Sequence, residues 1–242
     1  MATAVVRGVR FNSDAPCEKH TVTWNGRTFT AGSYLLAALF DFQDWLDRRH
    51  PGHYVYVIQG AYNLGVTPSA GTHDRDGCID ALIIHRASGR RVWLRGQRWW
   101  RRRHFYAWLR NSGSWWRPSS WHFHNIVVGI LDAGCPVGTY VPGQIADAVA
   151  GRSGLVGHVV DPTWRPKRYT PFPYRRWVEE KEEEEMGSPK NWDAADWAAF
   201  DRHAKQAAEA GWDKVTTMGR TRSGLLVAIA EKLGVTKKAR QK

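Results

Sequence analysis

The sequence predicts an α+β domain in which helices flank a mainly antiparallel sheet, followed by a small helical hairpin. Three observations support this fold class. Short stretches rich in β-branched and aromatic residues, such as 54–58 and 78–85, have the length and composition of strands. Asn25-Gly26 lies between two such stretches and is a strong signal for a two-residue β-turn. Apolar residues at helical spacing, including Leu36, Leu39 and Leu46, predict a helix between the hairpin and the next strand.

The remaining elements follow from turn and capping signals. We expect Ser33 to cap the first helix, which Pro51-Gly52 ends. A loop rich in Gly, Ser, Thr and Pro separates the next two strands, and Pro142 begins a short helix. In chain order, the predicted elements are strands 21–24 and 27–30, a helix from 33, strands 54–58 and 78–85, a helix over 98–110, strand 121–131 and a helix over 142–150.

The chain divides into three parts by composition. Residues 1–165 form the main domain, and residues 166–188 form a linker that is first rich in Pro and Arg and then acidic. Residues 161–178 are expected to be extended. Residues 189–242 are predicted as two amphipathic helices and a basic tail. A hairpin this small is marginally stable alone, so we expect it to dock on another surface.

Charge and cysteine content limit the function classes. The net charge is +12, and all of this excess lies before residue 179, which favours polyanionic partners. The arginine run 97–104 fits a nucleic-acid site, but no recognised motif accompanies it, and an amphipathic helix is the preferred interpretation. No segment has the length of a membrane span or the composition of a signal peptide. Three widely spaced cysteines indicate no disulfide framework, and Cys78 is interpreted as a small buried apolar residue.

A cluster of histidine and aspartate is the most informative feature of the chain. His73 and Asp80 lie seven residues apart, and His122 and His124 follow about forty residues later. On a strand, His122 and His124 would point to one face. Catalytic zinc is held by three nitrogen, oxygen or sulfur ligands with one position left for water. His-Glu-x-x-His and paired Cys-x-x-Cys patterns are absent from the sequence, which excludes zincins and zinc fingers.

With Ser69, Gly71 and Thr72 before it, this pattern resembles the zinc peptidases that include D-alanyl-D-alanine carboxypeptidases, phage L-alanyl-D-glutamate endopeptidases and the Hedgehog signalling domain. The stretches 59–63, 69–74 and 150–155 are similar to a version found in phages of actinobacteria. The resemblance covers residues 20–165 and implies the Hedgehog/DD-peptidase-like fold. It also implies that His73, Asp80 and His124 bind zinc, and that Ser69 and Gln59 bind substrate.

The resemblance implies hydrolysis of amide bonds in peptidoglycan stem peptides, by a phage lysin or a virion-associated wall hydrolase. The chain would be made in the host cytoplasm and act at the cell wall, with its C-terminal helices available to other virion proteins. One position departs from the family. Many members carry an acidic general base three residues before the last zinc ligand, where this chain has Trp121. His122 is then the candidate base or stabiliser of the tetrahedral intermediate, because neutral imidazole accepts protons near neutral pH. The alternative is a non-catalytic virion or wall-binding protein on the same scaffold.

Overall fold

The computed structural model describes residues 2–64, 71–111, 121–154 and 169–186. Eight strands and four helices lie within these residues. The strands are β1 (Thr3–Val6), β2 (Val9–Asn12), β3 (Lys19–Trp24), β4 (Arg27–Gly32), β5 (His53–Gln59), β6 (Cys78–His85), β7 (Phe105–Asn111) and β8 (Trp121–Val127). The helices are α1 (Ser33–Arg49), α2 (Leu94–Arg102), α3 (Val141–Val149) and α4 (Tyr174–Met186).

The strands form three antiparallel sheets. β5, β6, β8 and β7 make a four-stranded sheet in that order, while β1 pairs with β2 and β3 pairs with β4. Asn25 and Gly26 join β3 to β4 with φ values of 49° and 79°, which is the left-handed conformation that a two-residue hairpin turn requires. The predicted α+β class and the predicted hairpin at Asn25-Gly26 are therefore confirmed.

Helix α1 carries the largest apolar contribution to the core. It packs against β4 and β5, and its buried side chains include Leu35, Leu36, Leu39 and Phe42. The helix ends at Arg49, just before the predicted stop. The predicted cap is wrong, since Gly32 occupies the N-cap position and Ser33 is already helical. The Ser33 hydroxyl instead lies 2.8 Å from His20 Nε2.

The structure corrects the helix predicted over 98–110. Helix α2 ends at Arg102, and the chain then turns at His104, whose φ is 66°. Residues 105–111 form strand β7, which pairs along its whole length with β8. The aromatic side chains of this segment have a higher preference for strands than for helices, which the arginine-rich composition obscured. Strand β8 is also shorter than predicted, since it ends at Val127.

Two of the three cysteines form a disulfide that the sequence analysis did not predict. Cys17 and Cys135 are joined, although 118 positions separate them in sequence. The bond links the segment between β2 and β3 to the segment between β8 and α3. Spacing alone does not reveal such a pair, because a disulfide depends on the distance and orientation of the two residues in the folded chain.

The chain divides into two compact units, Met1–Val178 and Glu179–Lys242. Residues 169–178, which the sequence analysis assigned to an extended segment, include the first turn of α4 and contribute to the core of the first unit. The buried side chains Phe172 and Trp177 pack there, and the hydroxyl of Tyr34 donates to Phe172 O at 2.8 Å. The predicted C-terminal hairpin lies outside the described residues. No helix in the described ranges is both long and apolar enough to cross a membrane.

Candidate metal centre

The pairing of β6 with β8 brings the predicted site residues together. Asp80 is the direct cross-strand partner of His124. Cys78 lies two residues before Asp80, and His122 lies two residues before His124. Because side chains two apart on a strand point to one face, all four side chains share a face of the sheet. The predicted common face of the two histidines is confirmed by their contacts with a single carboxylate.

The carboxylate of Asp80 is the centre of the cluster. Its Oδ1 lies 3.4 Å from His73 Nε2 and 2.8 Å from His124 Nδ1. Its Oδ2 lies 3.2 Å from His122 Nε2. His73 and His124 are fully buried, and Asp80 is only 4% exposed. A charged group in such a position needs compensating partners, and three imidazoles supply them.

His73 reaches this face from the loop before β6, which backbone contacts hold in place. The N–H of Asn63 donates to His73 O, and the N–H of Asp76 donates to Pro136 O. The carboxylate of Asp74 accepts the N–H of Gly71 at 2.7 Å. Asp76 is fully buried and accepts the N–H of Gly32 at 3.0 Å. Both acidic residues therefore hold the loop by binding backbone amides.

Hydrogen bonds on the outer side of the cluster determine which imidazole nitrogens face inward. His73 Nδ1 lies 3.1 Å from Gly60 O, and His124 Nε2 lies 3.3 Å from Gln144 Oε1 on α3. A carbonyl oxygen only accepts, so the outer contacts suit the tautomer whose N–H points outward, whereas the contacts with Asp80 suit the tautomer whose N–H points inward. A bound metal ion would select the first tautomer, in which His73 Nε2 and His124 Nδ1 carry lone pairs.

This arrangement is compatible with a bound cation. Two imidazole nitrogens lie close to one carboxylate oxygen, and a positive ion bound beside them would interact favourably with all three. Metal-binding histidines commonly donate their other N–H to a carbonyl or carboxylate, and the contacts of His73 with Gly60 O and of His124 with Gln144 Oε1 allow this. Two of the predicted ligands, His73 and His124, belong to a buried group that could hold a metal ion, and the third, Asp80, lies against both.

The directions of the pKa shifts of Asp80 and His124 are compatible with metal binding. Burial opposes ionisation of Asp80, but hydrogen bonds from His122, His124 and His73 hold its pKa well below its ordinary value. Burial lowers the pKa of His124 and outweighs the opposing effect of Asp80. The carboxylate is thus ionised and the imidazole of His124 is neutral, which are the forms that bind metals.

Two contributors were not predicted. Burial raises the pKa of the Cys78 thiol well above its ordinary value. The thiol lies against His73 and His124, and these three residues form a buried group that could hold a metal ion. The signal was its spacing of two from Asp80 on the same strand. Gln144 comes from α3 and has no local sequence signal, because its role depends on where the helix packs.

The other predicted residues have different outcomes. Gln59 ends β5 next to a β-bulge and is the cross-strand partner of Asp80. It therefore lies at the end of β5 that is nearest the cluster. Trp121 begins β8 and is half-buried. Arg110, on β7, pairs with His122 and brings a positive charge that lowers the pKa of His124 further. Ser69 lies outside the described residues.

Comparison with known protein families, with curated proteins and with solved structures finds no match. The geometry of the cluster is therefore the main support for a function. An α+β domain with an antiparallel sheet carries a buried group of two histidines and one cysteine that could hold a metal ion.

Proposed function

We propose that the protein is a zinc-dependent peptidase that hydrolyses amide bonds of bacterial peptidoglycan stem peptides, as a phage lysin or a virion-associated wall hydrolase. The observation that carries the metal part is the close approach of His73 Nε2 and His124 Nδ1 to Asp80 Oδ1. In a tetrahedral zinc site with bond lengths near 2.0–2.1 Å, neighbouring nitrogen and oxygen donors lie about 3.3 Å apart. The two observed separations, 3.4 Å and 2.8 Å, bracket that value.

Zinc is preferred over harder cations because of the ligand types. Imidazole nitrogens suit zinc and its neighbours in the transition series, whereas magnesium and calcium take oxygen ligands almost exclusively. A bound zinc ion supplies Lewis acidity, which polarises a substrate carbonyl and makes water a better nucleophile at neutral pH. The substrate class rests on the sequence resemblance.

His122 is the proposed proton carrier. Its Nε2 contacts Asp80 Oδ2, the carboxylate oxygen that is turned away from the other two histidines. It therefore lies beside the ligand set without belonging to it, in a position to accept or return a proton during hydrolysis. Gln59 and Ser69 are proposed to bind the substrate backbone.

A second candidate is a wall-binding or virion protein that retains the metal for stability. Trp121 favours it, because an indole at the position of the usual base cannot take a proton. Both candidates share the metal site and differ only in whether peptide bonds are cleaved.

The first experiment measures zinc per chain by mass spectrometry on untagged protein. The parent is compared with a His73→Ala/His124→Ala variant and with His85→Ala as a control on the same sheet. We expect about one zinc in the parent and the control, and none in the double variant. Absence of zinc from the parent after reconstitution would refute the metal site.

The second experiment incubates the zinc-loaded parent with purified peptidoglycan and measures new amino groups and soluble stem peptides. Their release by the parent, and not by the double variant, supports the peptidase. Zinc binding without release supports the second candidate and contradicts the first.

A further inference from the structure

The Cys78 thiol lies against the same two imidazoles that define the proposed zinc site. Its Sγ is 3.5 Å from His73 Nε2, and 3.6 Å and 3.4 Å from Nδ1 and Nε2 of His124. Cys78 is fully buried, yet its neighbours on this side are two imidazole rings and, two residues later, a carboxylate. The interpretation of Cys78 as a small buried apolar residue explains its burial but not these polar contacts.

A thiol proton accounts for at most one of the two contacts. The S–H group donates once, and it is a weak donor. An imidazole N–H that faces the sulfur would form only a weak hydrogen bond, because sulfur is a weak acceptor. A metal ion bound to the sulfur and to both imidazoles accounts for both contacts.

The distances match a coordination shell that includes sulfur. With zinc–nitrogen bonds of about 2.0–2.1 Å and a zinc–sulfur bond of about 2.3 Å, nitrogen and sulfur ligands of a tetrahedron lie about 3.5 Å apart. The observed separations agree with this value for both histidines, at 3.5 Å for His73 and at 3.4 Å and 3.6 Å for the two nitrogens of His124.

We propose that Cys78 is a fourth metal ligand, so that His73 Nε2, His124 Nδ1, Asp80 and Cys78 Sγ together surround the ion. This inference rests on the metal site of the proposed function and deepens it. Four protein ligands are typical of closed zinc sites, whereas catalytic sites keep one position for water. The resting site is then closed, and hydrolysis requires Cys78 to give up its position. Sulfur also moves the metal preference further towards zinc, cobalt and cadmium and away from magnesium.

Cobalt substitution tests the inference by a readout independent of activity. The full chain is loaded with Co²⁺, and its near-ultraviolet spectrum is recorded for the thiolate-to-cobalt charge-transfer band. Because Cys17 and Cys135 are joined to each other, Cys78 is the free cysteine that can produce the band. We expect the band in the parent and in a Cys17→Ser/Cys135→Ser control, and its loss in Cys78→Ser with cobalt still bound.

X-ray absorption of the zinc-loaded parent gives the same information without a variant, should Cys78→Ser not fold. One sulfur at about 2.3 Å from zinc supports the inference. A first shell of only nitrogen and oxygen, or one bound cobalt without the band, overturns it and leaves the proposed metal site intact. Failure of the parent to bind either metal overturns both proposals. The band together with no cleavage of peptidoglycan by the parent or by Cys78→Ser supports the ligand and refutes the peptidase.

Discussion

Replacement of Gly32 by alanine tests how the loop that carries His73 is held. Gly32 has φ −76° and ψ 160°, so an alanine backbone adopts this conformation without strain. The added Cβ, however, would lie 2.5 Å from Asp76 Cγ and still closer to Oδ2. Carbon atoms in contact lie about 3.5–4.0 Å apart, so the Asp76 carboxylate must move by about 1 Å or more.

The magnitude follows from two costs. Overpacking of a close-packed interior costs about 1–3 kcal/mol. Loss of the hydrogen bond from Gly32 N–H to Asp76 leaves a buried donor without its partner, for about 1–3 kcal/mol more. The sum is about 2–6 kcal/mol, which at about 2–4 °C per kcal/mol lowers the melting temperature of a unit of this size by about 4–24 °C. Because Asp76 lies between His73 and Cys78, the variant should also bind zinc more weakly.

Thermal unfolding of the metal-free protein, followed by circular dichroism, measures the first effect. Gly143→Ala in α3 is the matched control, since a Cβ there meets nothing within 4 Å. The control should be unchanged or more stable by up to about 1 kcal/mol, as for glycine to alanine in a helix. A Gly32→Ala protein that melts within about 2 °C of the parent would contradict the reasoning.

Three further changes test the site and the core. Gln144→Leu removes the partner of His124 Nε2 and should weaken zinc binding about 10- to 100-fold in a competition titration. Gln97→Leu, which removes a buried bond to the β7 backbone, should not; equal affinities of the two variants would show that Gln144 does not orient a metal ligand. His122→Asn should keep its zinc and lose about 10²- to 10⁴-fold in peptidoglycan hydrolysis, and full activity would exclude His122 as the proton carrier. Tyr34→Phe removes the hydroxyl that binds Phe172 O and should cost about 1 kcal/mol in urea unfolding; an unchanged midpoint would show that this contact adds no stability.

Elements that depend on residues close together in sequence were predicted correctly. Asn25-Gly26 predicted its hairpin because few residue pairs tolerate positive φ at both positions. Strand β6 was predicted with its observed bounds, since its apolar run ends in polar residues. Residues 105–110 were misassigned, because their pairing with β8 is a long-range contact that overrides the preference of the preceding arginines.

The same distinction applies to the metal centre. The spacing of His73, Asp80, His122 and His124 indicated a shared face, and the register of β6 with β8 brings them together as expected. Gln144 and Gly60 O were not predictable, because they reach the cluster through packing of α3 and through the end of β5. Such outer partners carry no sequence pattern of their own.

The disulfide between Cys17 and Cys135 makes the stability of the first unit depend on the redox environment. In a reducing cytoplasm the two cysteines remain thiols, and in oxidising surroundings they are joined. Closing a loop of this length, 118 positions, disfavours the unfolded chain by about 4–5 kcal/mol on an entropic account. The gain applies to the folded unit as a whole, and Pro136, next to Cys135, connects the bond to the loop of His73 by accepting the N–H of Asp76. We therefore expect the oxidised protein to be more stable than the reduced protein, with the same residues at the site.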